Sequence, residues 1–158
     1  MGSSRLGVYL NDHLAGSVLG AELARRALKS NEGTELGRFL ATFLDEVVED
    51  RRELERVMSR VGARRSRFKP ALAWSAEKVG RLKLNGQLTG YSPLSRLLEL
   101  EGLTIGVTGK RALWQSLADL AARDERLAEF DFPALVRRAD AQLEGLERHR
   151  RDAAASAF

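Results

Sequence analysis

Apolar residues recur along this chain at the spacing of one helix face, in four long stretches. Leu10, Leu14, Ser17, Val18, Ala21, Ala24 and Leu28 share a face and predict a helix over about 6–30. Asn31-Glu32-Gly33 is a stop signal, with Gly33 suited to a left-handed C-cap. Thr34 is a good N-cap for a second helix, about 34–61, whose stripe is Leu36, Leu40, Phe43, Val47, Leu54, Met58 and Val61. Ser92 and Pro93 open a third helix, about 93–122. A fourth, about 132–152, carries Phe132, Leu135, Val136, Ala139, Leu143 and Leu146, and the tail from Ala153 to Phe158 reads as frayed. Within the long connection 62–92, Pro70 opens a shorter helix to about Leu84, ended by Asn85-Gly86.

The connections set the layout. A turn as short as 31–33 makes the first two helices antiparallel neighbours. The second helix, at 1.5 Å per residue, is roughly 42 Å long. The short helix of roughly 22 Å plus extended chain can return along it, making the second and third helices parallel. A serial up-down bundle with a fifth short helix is the alternative. The expected fold is all-α, in one domain over 1–158. Only three prolines agree with that, and 158 residues suffice for a real core.

This layout resembles the ferritin-like superfamily: a four-helix bundle with a left-handed crossover connection and an extra short helix. The resemblance covers nearly the whole chain and rests on topology. It implies a place for a two-metal carboxylate site, built from Glu residues and Glu-x-x-His pairs on facing helices. This chain departs from that pattern. It has no Glu-x-x-His, and its two histidines are His13 and His149. The nearest residues for an iron or manganese site are His13, Asp50, Glu46 and Glu101. Asp50 lies within the apolar side of its helix and needs a partner. Helix register sets it near His13, as a metal or acid/base pair. The plainer reading is a salt bridge that fixes register, with Arg25 or Arg51. His149 reads as a surface residue.

The third helix is unusual. Gly102, Gly106 and Gly109 lie on one side of it, and each interior glycine costs about 0.5–1 kcal/mol relative to Ala. Close approach of another backbone or of a ligand is the natural offset. The helix also has two apolar faces. One is Leu94, Leu98, Ile105 and Ala112. The other is Leu100, Leu103, Val107 and Trp114, read as an interface for a homodimer; the 70–84 helix, with Leu72, Trp74 and Val79, is the alternative cover for one of the two faces. A polar line of Glu101, Thr104, Thr108 and Gln115 runs between them.

Charge is unevenly spread. Residues 60–83 hold eight basic side chains and one acid, a balance of +7, so the other residues net −3 of the total +4. Arg64, Arg65, Arg67 and Lys69, with Phe68 and Trp74 among them, are candidates for phosphate or nucleic-acid contact. With no cysteine, thiolate chemistry and disulfides are excluded. Charges in the apolar stretch 8–23 argue against a signal peptide or membrane span, and the expected location is cytoplasmic. Phosphate-loop and nucleophile-elbow motifs are absent. The pattern favours a non-catalytic binding or scaffolding module with no cofactor, acting on a protein or small molecule. An atypical metal or oxidative-stress protein is the first alternative, and a nucleic-acid-associated protein the second.

Overall fold

Four long helices make up most of the described residues, and their ends follow the capping chemistry of the sequence. The computed structural model describes residues 4–66 and 90–158. The helices are α1 (Arg5–Ser30), α2 (Glu35–Arg60), α3 (Pro93–Ala121) and α4 (Phe132–Ala157), with a single 3-10 turn at Glu125–Leu127 before α4. The fold is all-α, and none of these helices is long and apolar enough to cross a membrane. The short helix expected at 70–84 lies outside the described residues, as do Arg67 and Lys69.

Each helix opens on a side-chain oxygen that accepts from an otherwise orphaned N–H. Ser4 caps Gly7 and Thr34 caps Gly37, each at 3.0 Å. Ser92 caps Ser95 and Asp131 caps Ala134. Gly33 and Gly62 have φ of 78° and 73°, conformations that an L side chain seldom adopts. At the end of α2, the Ala63 N–H reaches back to the Met58 carbonyl at 2.9 Å and closes the helix. One expectation fails here. The tail is helical to Ala157, with Ala153 buried and Ala154 and Ala157 packed on the core. Alanine is the best helix former and fits that crowded end, so the tail has no reason to fray.

Contacts fix how the helices run. Tyr9 meets Ser116, Leu23 faces Gly102 and Arg26 pairs with Glu99, so α1 and α3 are antiparallel in one continuous register. Phe39 packs at Gly145 and Asp50 pairs with Arg138, so α2 and α4 are antiparallel as well. The pairs α1/α2 and α3/α4 are hairpins, which leaves α2 and α3 parallel, joined at mid-length by Asp50 and Lys110. Ser66 donates to Asn11 near the start of α1, while Tyr91 accepts from Asn31 just past its end. Residues 66 and 91 therefore sit at opposite ends of the bundle.

The core has two apolar clusters. One gathers the end holding Ala24, Leu40, Leu100 and Leu146; the other gathers Leu10, Val57, Trp114 and Phe132 at the opposite end. Between them lies a layer of polar side chains.

Candidate functional site

Mid-bundle, α1, α2 and α3 part to leave a cavity of about 290 Å³. On α1 it is lined by Asp12, His13, Gly16, Ser17 and Gly20. Its floor is α2, through Phe43, Val47, Asp50, Arg51 and Leu54. The far wall is α3, through Gly102, Gly106, Gly109 and the larger Val107, Lys110 and Trp114. Five glycines thus face one space across two helices. At Gly16, Gly20, Gly106 and Gly109 an added Cβ would meet no heavy atom within 4 Å. Small residues on facing helices often serve close backbone packing. Among the described residues nothing packs on these four positions, and Gly16 and Gly106 are exposed. Gly102 alone serves packing, since its Cβ would lie 2.9 Å from the Leu23 Cδ2.

Charge is concentrated on the floor. Asp50 is only 2% exposed, and both its oxygens are engaged. The Lys110 ammonium donates to Oδ2 at 2.5 Å, and the Arg138 guanidinium donates to Oδ1 at 3.0 Å. Lys110 also donates to Gln142 Oε1 at 2.6 Å, and the Gln142 amide donates on to Glu46 at 2.8 Å. A buried carboxylate must be paired and hydrogen-bonded, and three helices supply that. Burial pulls the Lys110 ammonium below the ordinary lysine value, with Asp50 opposing the shift. His13 packs edge-on against Tyr9, 4.7 Å between ring centroids, and burial holds its imidazole below the ordinary value, against the pull of Asp12. Among the described residues the buried Trp114 indole N–H has no acceptor.

The sequence candidates sort as follows. His13 and Asp50 both line the cavity, but Asp50 bonds to Lys110 and Arg138 rather than to His13, Arg25 or Arg51. Glu46 is held by Gln142, and Glu101 faces outward near Arg150. Among the described residues no group of three or more His, Asp or Glu is placed to hold a metal ion, so these four do not form the expected iron or manganese site. The physical reason is that α3 and α4 bring cations, not ligands, to the Asp50 layer.

The interface reading is also corrected. Leu100, Leu103, Val107 and Trp114 are all 3% exposed or less within the chain itself, because they face its own core. The face left outside is the other one, with Leu94 and Ile105 exposed and Leu98 half-buried. Of the phosphate candidates, Arg65 is paired with Glu55 at 2.6 Å and Arg64 is exposed. His149, expected at the surface, is buried against Phe39, 4.9 Å between ring centroids. It lies where Gly145 leaves room for that phenylalanine, so the imidazole replaces a core apolar residue.

Sequence reasoning missed Lys110, Arg138 and Gln142. The signal was present only as pairing logic: a carboxylate on an apolar stripe requires cations, and each of these sits on a facing helix. Comparisons with protein-family models, with curated proteins and with solved structures give no match.

Proposed function

We propose that this chain is a non-catalytic binding module that takes a small molecule in the α1–α2–α3 cavity, on a ferritin-like scaffold with a left-handed crossover. The observation that carries the reading is the set of four glycines that wall the cavity and, among the described residues, leave an added Cβ with no neighbour within 4 Å. Interior glycine destabilises a helix, and packing does not offset that cost here, so the space they leave is what remains to account for them. At roughly 30 Å³ per water the cavity has room for about ten waters, the size of a small organic ligand.

Two features support the scaffold and the absence of catalysis. Antiparallel neighbours with a parallel α2/α3 diagonal are the helix order of ferritin-like bundles. In that layout metal ligands project inward at mid-bundle. Here the Lys110 ammonium lies between Asp50 and Gln142 and acts as a resident cation for the carboxylate.

The test uses a neutral fluorophore, N-phenylnaphthylamine, whose emission rises in apolar surroundings. Wild type should bind it saturably. Gly106→Leu should abolish binding while helix content and thermal midpoint hold, because the new side chain enters the cavity. Undiminished binding by Gly106→Leu would place the probe elsewhere and sink the reading.

A further inference from the structure

We infer that the ligand is an amphipathic monocarboxylate, its carboxylate beside Arg51 and Lys110 and its hydrocarbon body between Phe43, Val47 and Val107. This rests on the binding-module reading above and adds the chemical class of the ligand.

Along the bundle axis the charges form a belt across the cavity. On α2, Phe43 and Val47 precede Asp50 and Arg51, and Leu54 follows them; on the parallel α3, Leu103 and Val107 precede Lys110, and Leu113 and Trp114 follow it. From Phe43 to Asp50 is two helical turns, roughly 10 Å at 1.5 Å per residue. A molecule whose hydrocarbon body lies against Phe43, Val47 and Val107 therefore brings one end to the charges.

The charged end has more donors than acceptors. Lys110 carries three N–H groups, and the protein uses two of them. Arg51, half-buried, has no hydrogen bond or ion pair among the described residues. Among the described residues the buried Trp114 indole N–H has no acceptor. Against these stand Asp50, with both oxygens already engaged, Asp12, exposed at the rim, and the one acceptor nitrogen of a neutral His13 ring. What this end lacks is an acceptor with one negative charge. A single carboxylate matches the Arg51 guanidinium, and its planar pair of oxygens suits the arginine fork. A cationic head would meet Arg51 and the third Lys110 proton.

Displacement of N-phenylnaphthylamine by decanoate, decanol and decylamine, three chains that differ only in the head, tests this. Decanoate should displace at concentrations about tenfold below decanol, the value of one charge-assisted hydrogen bond, and decylamine should be weakest. Arg51→Gln should bring decanoate and decanol to within about twofold while the fluorophore still binds, showing an intact cavity. Lys110→Met, compared under the same control, should do the same. Equal displacement by decanol, or a preference for decylamine, overturns the carboxylate and leaves the binding module standing. Failure of all three chains and the fluorophore to bind wild type overturns both. A wild-type dimer that Gly106→Leu converts to monomer does so too, by making a second copy the occupant.

Discussion

Two groups of buried polar residues hold this bundle together, and they are finished to different degrees. At the α1–α2 turn, Asn31 donates to Tyr91 at 2.7 Å, Tyr91 donates to Glu99 at 3.0 Å, and Arg26 reaches the other Glu99 oxygen at 3.1 Å. Arg96 donates to the Asn31 side-chain oxygen and lies over the Tyr91 ring. The Asn31 carbonyl presses on Gly37, where a Cβ would come within 2.2 Å of it. Asn31, Tyr91, Glu99, Arg26 and Arg96 thus all find partners in one another. At mid-bundle, Asp50, Lys110, Gln142, Glu46 and Arg138 make a comparable network, but it borders a cavity and leaves donors unmatched. Both groups obey the rule that buried charge must be paired. The difference is that the first clasps α3 to the α1–α2 turn, while the second has capacity left for something that is not protein.

The largest effect should come from removing the shared carboxylate of the mid-bundle layer. Asp50→Ala strands two cations and should cost about 3–5 kcal/mol, read as a lower urea midpoint. Glu99→Ala should cost less, about 1–3 kcal/mol, because Arg26 is near the surface and can turn to water. Equal losses would erase the distinction between the layers.

Next in size are two glycines on opposite sides of the comparison. Gly145→Ala sets a Cβ 2.3 Å from Phe39 and should lose about 1–3 kcal/mol by overpacking. Gly106→Ala meets nothing and should gain about 0.5–1 kcal/mol from helix propensity. A loss at Gly106 in urea unfolding would mean the cavity wall is tighter than its geometry shows.

The smallest effect is in pH. Burial holds both His13 and His149 below the ordinary histidine value of 6.5. Their folded pKa values are depressed, so their contribution to stability is present above 6.5 and lost as pH falls through the lowered values. Glu99 is raised by burial, so its contribution is present below the ordinary carboxylate value of 4.5 and is lost as pH rises through the raised one. Urea midpoints taken downward from 6.5 should fall, and His149→Gln should flatten that slope.

Helix positions were legible because periodicity and capping are local. Thr34, Ser92 and Asp131 are all at or within a residue of the expected starts. The need of Asp50 for a partner was legible from its place on an apolar stripe. The identity of the partners was not, since Lys110 and Arg138 are 60 and 88 residues away and meet it only through three-helix packing. The α3 glycines were visible as an anomaly, with close packing and a ligand as competing explanations. Only the placement of α1 against α3 separates Gly102, which packs, from Gly106 and Gly109, which do not. His149 misled because it stands beside the α4 stripe near an end that reads as frayed, whereas α4 continues to Ala157 and Phe39 packs on the imidazole from across the bundle.

The placement of residues 66 and 91 at opposite ends of α1 sets a lower bound on the chain between them. The anchor points Asn11 and Asn31 are twenty helical residues apart, roughly 30 Å at 1.5 Å per residue. About nine extended residues at 3.3 Å each would bridge that distance. The chain supplies twenty-four between them. Well over half of that stretch is surplus to topology, so it can be shortened or exchanged without reversing α3. A linker cut below that minimum could no longer keep α2 and α3 parallel, and the Asp50–Lys110 contact would be lost with it.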